Sequence, residues 1–90
     1  MMPGNEAKPI RLSLHALQQL QFRGANDHEV IEAGRTAPWR PAENGRWECR
    51  MEFVFNATWN GKHHTTKQVR PIFVEEPLEI VVVTVYVYYF

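Results

Sequence analysis

The sequence has 90 residues, of which ten are basic and ten are acidic, and 44% of its side chains are hydrophobic. A chain of this length and composition forms one hydrophobic core and is not intrinsically disordered. The formal net charge of zero argues against a strongly basic nucleic-acid-binding protein, but not against a local basic patch.

Cys49 is the only cysteine, so no intrachain disulfide can form, as is usual for proteins of a reducing compartment. The first nine residues are polar and lack the apolar segment of a signal peptide. The most apolar run, residues 80–83, is too short to span a bilayer. These features predict a cytoplasmic protein that does not enter a membrane.

A flexible leader and a first helix are predicted in the N-terminal part. Residues 1–9 contain two prolines and a glycine and precede a single predicted domain at residues 10–90. Ser13 suits the N-cap, and Gly24 the position after the last turn, of a helix over about residues 13–23. This helix is expected to bury an apolar stripe that consists of Leu14, Ala16, Leu17 and Leu20.

A second helix is predicted directly after the first. Asn26 and Glu29 have the spacing of a capping box, in which each side chain accepts from the backbone N–H of the other residue. Gly34 is expected to end this helix, which therefore covers about residues 27–33. Residues 36–45 contain two prolines and a glycine and are predicted to form a loop.

Two strands joined by a tight turn are predicted next. Apolar side chains occupy every second position from Trp47 to Phe55, which is the pattern of a strand with one buried and one wet face. Asn60 and Gly61 are typical of a two-residue hairpin, because both residues tolerate positive φ. The return strand is predicted over about residues 62–74.

The predicted return strand contains Pro71, which cannot donate to a ladder and is therefore expected at a sheet edge or a bulge. A third strand is predicted over residues 78–89. Its segment 80–85 is apolar without alternation, as in a strand that is covered on both faces or lies centrally. The predicted fold class is α+β, with two N-terminal helices packed on a three-stranded antiparallel β-meander.

The first helix carries a polar stripe that is a candidate for chemistry. His15, Gln19 and Arg23 are spaced by four residues and share one side of the helix. An imidazole exchanges protons near neutral pH and a guanidinium holds phosphate oxygens in a fork, so the two suit a phosphodiester substrate. An ordinary solvated helix face explains the same spacing.

Metal and thiol chemistry have little support in the sequence. His63 and His64 are adjacent on a strand and point to opposite faces, and no Cys-x-x-Cys or His-Glu-x-x-His pattern is present. No metal and no other cofactor is therefore predicted. Cys49 is expected to be buried and inert. It should share its side of the strand with Trp47, Met51 and Phe53.

Aromatic and basic side chains of the predicted sheet are candidates for RNA contacts. The candidates for stacking on bases are Trp39, Trp47, Trp59, Tyr86, Tyr88 and Tyr89, although core packing explains Trp47 equally well. The alternation of Tyr86, Tyr88 and Phe90 on the last strand also suits a dimer interface. Arg50 and Arg70 are predicted to line one face of the sheet, although neighbouring glutamates reduce the charge of that face.

Four short segments near the two ends of the chain form a recognisable set: Ser13-Leu14-His15-Ala16, Arg23-Gly24, Glu29-Val30 and Val82-Val83-Thr84-Val85-Tyr86. In these segments the chain resembles domain-of-unknown-function family 4258. The resemblance covers about residues 10–35 and 78–88, and the middle hairpin agrees only in its pattern.

This resemblance implies the fold of the RelE/ParE-like toxin superfamily, whose members include metal-independent endoribonucleases of toxin–antitoxin systems. It implies catalytic roles for His15 and Arg23. Gln19 stands where relatives often carry a basic residue, which removes one cation from the stripe. The residues expected to contact the substrate are Gln19, Arg50, Arg70 and Thr84.

Two functions are predicted as alternatives. The first is a toxin-like, metal-independent endoribonuclease or RNA-binding domain, in which His15 exchanges a proton with the ribose or the departing oxygen and Arg23 stabilises the phosphorane. Its expected partners are RNA, an antitoxin-like protein and a second copy bound through the C-terminal strand. The second function is a non-catalytic protein-interaction module or a degenerate toxin relative, which the balanced charge and Gln19 favour.

Overall fold

The computed structural model describes residues 8–90 and contains two α-helices, one short 3₁₀ helix (Glu43–Gly45) and six strands in that range. Residues 1–7 of the predicted leader (residues 1–9) lie outside the described residues. The helices are α1 (Leu14–Arg23) and α2 (Asp27–Thr36). The strands are β1 (Ile10–Leu12), β2 (Arg40–Pro41), β3 (Trp47–Glu48), β4 (Met51–Trp59), β5 (Lys62–Glu75) and β6 (Ile80–Tyr89).

The strands form one mixed sheet, so the predicted three-stranded antiparallel meander is wrong, although the broad α+β class holds. The strand order is β1-β6-β5-β3-β2, and β4 also pairs with β5. β1 runs parallel to β6, with Ile10 opposite Ile80. β1, β2 and β3 have two or three residues each, which is too short for alternation to be visible in the sequence.

Both helices begin at the predicted caps. The Ser13 hydroxyl accepts from the Ala16 N–H at 3.1 Å. Asn26 and Glu29 form the reciprocal capping box, with bonds of 2.9 and 3.1 Å. Gly24 adopts φ 76°, the left-handed conformation that ends α1. These cap predictions are confirmed.

The predicted end of the second helix is wrong, because α2 continues through Gly34 to Thr36. Gly34 is buried, and a Cβ built on it would lie 3.1 Å from Cδ1 of Ile10. The Gly34 carbonyl also accepts from the Trp39 indole N–H at 3.0 Å. The glycine therefore allows β1 and α2 to approach closely, rather than ending the helix.

The Asn60–Gly61 turn joins β4 to β5, as predicted. Asn60 has φ 51° and Gly61 has φ 80°. A two-residue hairpin turn of type I′ requires positive φ at both positions. Trp59 and Lys62 pair directly across the turn.

A bulge at Val83 explains why β6 shows no alternation in the sequence. Thr84 pairs with Ile72 and Val82 pairs with Phe73, so Val83 has no directly paired residue in β5. Before the bulge the even-numbered residues of β6 are buried; after it Val85 is buried and Val87 and Tyr89 are half-buried, whereas Tyr86 and Tyr88 are exposed. The apolar run of residues 80–85 therefore reflects a change of face within one strand.

Pro71 lies in β5, which is paired on both sides, and not at a sheet edge. On the side of β3 and β4, the Pro71 carbonyl accepts from the Cys49 N–H at 3.4 Å. Cys49 belongs to neither strand, because β3 ends at residue 48 and β4 begins at residue 51. The N–H that proline lacks is thus opposite a gap in the neighbouring strand.

Both helices pack on one face of the sheet and share one hydrophobic core with it. Ala16 and Leu20 of α1 are buried there, but Leu14 and Leu17 are 73% and 44% exposed. The predicted apolar stripe is therefore wrong for these two leucines. Within residues 8–90, no helix is long and apolar enough to cross a membrane. The core residues of the sheet are Cys49, Val69, Phe73, Ile80, Val82 and Val85.

Cys49 is fully buried, as predicted, and its S–H donates to the Ala33 carbonyl at 3.3 Å. Burial, with a smaller contribution from Glu48, raises the pKa of the thiol to about 12. We expect maleimide to label native Cys49 at least about 100-fold more slowly than the denatured chain, because labelling needs both opening and ionisation. Labelling at equal rates in the two states would contradict this burial.

Candidate functional site

The sheet has an open face, which is turned away from both helices. Residues that pair directly on neighbouring antiparallel strands point to the same face of the sheet. Val69, Phe73 and Val85 point into the core under the helices, so the residues next to them on β5 and β6 point to the open face. Phe90 continues β6 and exchanges two backbone hydrogen bonds with Thr66. The aromatic row of this face consists of Tyr86, Tyr88 and Phe90. The neighbouring residues of the open face are Glu48, Gln68, Arg70, Ile72 and Thr84.

A cavity of about 540 Å³ lies on the open face. Its wall is formed by residues between Pro41 and Arg46, and its floor by side chains of β3, β5 and β6. The segment predicted as a simple loop thus builds one side of the cavity. The polar and aromatic lining residues are Glu43, Asn44, Arg46, Glu48, Arg70, Thr84 and Tyr86.

Glu48 joins the two arginines that were predicted to line the sheet. Arg70 Nε and Nη2 donate to the two Glu48 oxygens at 2.8 and 3.1 Å, and Arg50 Nε lies 3.5 Å from Glu48 Oε1. The hydrogen bonds with Arg70 are the main reason that the pKa of Glu48 lies below its usual value. The same bonds raise the pKa of Arg70. One carboxylate therefore faces two guanidinium groups and leaves a positive charge uncompensated.

Tyr86 lies close to two guanidinium groups. The Cζ atoms of Arg23 and Arg70 are each 5.3 Å from the centre of the Tyr86 ring, a distance at which cations are attracted to aromatic rings. Arg70 Nη1 also donates to the Tyr88 hydroxyl at 3.3 Å. The aromatic row therefore connects an arginine of α1 with an arginine of β5.

Gln19 and Arg23 also form hydrogen bonds with backbone groups at the edge of β6. Gln19 Oε1 accepts from the Thr84 hydroxyl and from the Val85 N–H, both at 2.8 Å. Arg23 Nη1 donates to the Val85 carbonyl at 2.6 Å. Val85 lies beyond the part of β6 that pairs with β1, so the two side chains replace a neighbouring strand. A basic side chain at position 19 has no acceptor and could not make these bonds.

The candidate residues from the sequence are only partly brought together. Arg50 and Arg70 meet at Glu48, and Thr84 lines the cavity. His15 is exposed, and about 12 Å of helix axis separates it from Arg23. It does not line the cavity on the open face. Catalysis by His15 and Arg23 stays a prediction.

Two cavity residues, Asn44 and Arg46, were not recognised in the sequence as candidates. The only available signal was the alternation of Arg46, Glu48 and Arg50 with apolar residues, which places charges on one face. Asn44 gave no such signal; in the structure its φ of 60° is that of a turn residue. Their convergence with Arg70 depends on pairing between strands that are distant in the chain.

Within residues 8–90, no group of three or more histidine, cysteine, aspartate or glutamate side chains is arranged to hold a metal ion. Comparisons of the chain with protein-family models, curated proteins and solved structures found no match. The resemblance to family 4258 and to the RelE/ParE-like toxins therefore stays a prediction.

Proposed function

We propose that the open face binds single-stranded RNA without cleaving it. In this proposal, bases stack on the aromatic row and phosphates contact the arginines beside it. The observation that supports it best is the combination of exposed aromatic rings and guanidinium groups on a sheet face that neither α1 nor α2 covers. Sheet platforms with exposed aromatic side chains bind unpaired bases in this way.

The aromatic row offers free rings to bases. Tyr88 is 40% exposed and Phe90 is 55% exposed. Among residues 8–90, neither ring contacts another aromatic ring, whereas Tyr86 is occupied by its two arginines. Alternate residues of a strand are about 7 Å apart, so the two rings can receive separate bases.

The charges next to the aromatic row suit the binding of a polyanion with modest affinity. The cavity lining contains Arg46 and Arg70 together with two glutamates. Arg50 and Arg23 lie at its margin, and Arg40 and Glu52 lie on the same face, so five guanidinium groups face three carboxylates and leave a net charge of +2. The whole chain has a net charge of zero, so this excess is local. We expect binding that weakens strongly as salt concentration rises.

The arrangement supports binding more than cleavage. His15 lies apart from the cavity, and Glu48 is held by Arg70 as an ionised partner. Neither group is placed to exchange a proton with a phosphodiester bound beside Tyr86. We place the protein in the cytoplasm, where single-stranded RNA is available and the buried thiol of Cys49 stays reduced.

Arg46→Ala tests the phosphate contacts. Binding of a labelled twelve-nucleotide single-stranded RNA is measured by fluorescence anisotropy over a series of salt concentrations. We expect the slope of log affinity against log salt to fall in magnitude by about 0.7, which corresponds to one lost phosphate contact. Arg11→Ala is the matched control, because Arg11 is paired with Glu79 outside the cavity and should leave the slope unchanged.

Equal slopes for Arg46→Ala and the wild type would contradict the assignment of the phosphates to this cavity. Absence of RNA binding by the folded wild type at low salt would refute the proposed function. The predicted alternative, a protein-interaction module, would then account for the aromatic row.

A further inference from the structure

The outer edge of β6 is covered over only part of its length. β1 pairs with β6 at residues 80–82, and the Ser13 N–H donates to the Val82 carbonyl at 2.9 Å. The chain then enters α1 at Leu14 and leaves the edge. From residue 83 onward, this edge of β6 has no neighbouring strand among residues 8–90.

The hydrogen-bond pattern shows which backbone groups this edge presents. Thr66 and Phe90 exchange both backbone hydrogen bonds, at 2.8 and 3.0 Å, so even-numbered residues after the bulge bond to β5. Backbone groups of antiparallel strands alternate in direction, so Val85, Val87 and Tyr89 direct their N–H and C=O groups away from β5. Gln19 and Arg23 already occupy those of Val85.

The backbone groups of Val87 and Tyr89 have no hydrogen-bond partner among residues 8–90. They lie in an edge groove of about 210 Å³, lined by residues 86–89 of β6 together with Phe22, Arg23, Trp59 and Asn60. Phe22 is 77% exposed at one wall. At the other wall, the Trp59 ring stacks on Tyr89 with a centroid distance of 4.9 Å.

We propose that this edge groove binds an extended peptide segment of another protein, which adds as a strand to β6. Free N–H and C=O groups in a row are complementary to one kind of ligand, an extended peptide backbone. The rings of Phe22 and Trp59 provide apolar contacts for its side chains. The proposal goes beyond RNA binding: the peptide pairs with the sheet edge and does not lie on the open face, although the groove shares Arg23, Tyr86 and Tyr88 with the proposed RNA site.

Charge complementarity indicates an acidic residue in the bound segment. Arg23 lies at the inner end of the groove and contacts a carbonyl and the Tyr86 ring, but no carboxylate among residues 8–90. A second copy of the chain does not fit as well. Residues 80–89 contain no acidic side chain, so pairing of two β6 strands would leave both Arg23 groups without a counter-charge.

Val87→Pro tests the strand addition. Proline removes the outward N–H and obstructs a neighbouring strand, but the Val87 N–H makes no bond within the sheet, so the sheet pairing should be retained. Val87 also packs against the core, so the circular dichroism spectrum of the variant is compared with that of the wild type. Val87→Thr keeps both the N–H and the branched shape and is the matched control. Phe22→Ala is a second test that does not change the strand backbone, because the Phe22 side chain is exposed.

The probe is a displayed library of random twelve-residue peptides, selected on the wild-type protein and in parallel on a domain known to bind peptides by strand addition. We expect selected peptides to combine alternating β-branched residues with aspartate or glutamate. Their affinity should fall at least about tenfold with Val87→Pro and about threefold or more with Phe22→Ala, but remain unchanged with Val87→Thr and Arg46→Ala.

Three results would overturn the proposal. The first is a selection that yields binders on the known strand-adding domain but none on this protein. The second is a set of binders whose affinity is unaffected by both Val87→Pro and Phe22→Ala. The third is a wild-type protein that sediments as a dimer and becomes monomeric with Val87→Pro, since the edge would then be occupied by a second copy. RNA binding should survive Val87→Pro, so the two proposals fail independently.

Discussion

Gly24→Ala is expected to lower the free energy of unfolding by about 2–5 kcal/mol. Gly24 has φ 76°, where a side chain costs about 1 kcal/mol or more. A Cβ there would also lie against the Tyr89 hydroxyl and 2.7 and 2.9 Å from two atoms of the Trp59 ring. Displacing this packed pair adds the cost of overpacking, about 1–3 kcal/mol. Chemical denaturation measures the total.

Gly45→Ala separates the two contributions to this loss. Gly45 has a similar φ of 71°, but nothing lies within 4 Å of the position of its Cβ. This control should therefore cost only the backbone term, about 1 kcal/mol. Equal losses for Gly24→Ala and Gly45→Ala would show that Tyr89 and Trp59 do not pack against the end of α1 as described.

Tyr88→Ala is expected to weaken the binding of single-stranded RNA by roughly 5- to 150-fold. Stacking of one base on an aromatic side chain contributes about 1–3 kcal/mol, and 1.4 kcal/mol corresponds to a factor of ten. The Tyr88 side chain is 40% exposed and accepts a hydrogen bond from Arg70 through its hydroxyl, and Arg70 remains held by Glu48 in the variant. The loss should therefore appear in affinity rather than in stability.

Tyr88→Phe is the control for this experiment, because it keeps the ring and removes only the hydroxyl. Its affinity should stay within about threefold of the wild type if stacking is the main contribution. If Tyr88→Phe and Tyr88→Ala were equally weak, the hydroxyl and its bond to Arg70 would carry the binding instead. Wild-type affinity for Tyr88→Ala would remove the aromatic row from the site.

Local features of the structure could be predicted from the sequence because each depends on residues close together in the chain. The capping box of Asn26 and Glu29 spans three positions, and the Asn60–Gly61 turn depends on two residues that tolerate positive φ. The burial of Cys49 was predicted from the alternation of apolar residues around it, and it holds although Cys49 lies between β3 and β4.

The sheet could not be predicted to the same extent, because its pairings join distant residues. Ile10 pairs with Ile80, and three residues of β1 contain too little pattern to identify a strand. The bulge at Val83 reverses the buried face of β6 and removes the alternation on which a prediction depends. Register shifts of this kind depend on the neighbouring strand.

Several residues of the candidate site were predicted from the sequence, but their arrangement in space was not. Arg23, Arg50 and Arg70 were recognised, but their convergence depends on Glu48 and on the ring of Tyr86. The helical wheel also placed Gln19 and Arg23 on a solvated side. In the structure they turn toward β6, because the backbone of Val85 needs hydrogen-bond partners that no strand supplies.

Photo-cross-linking tests most directly whether the open face is the RNA-binding surface. The folded protein is irradiated with a twelve-nucleotide single-stranded RNA that contains 5-iodouridine, and the modified residues are identified by mass spectrometry. We predict cross-links to Tyr88 and Phe90, which have free and exposed rings. Cross-links confined to the exposed side of α1, at His15 or Phe22, would contradict the account.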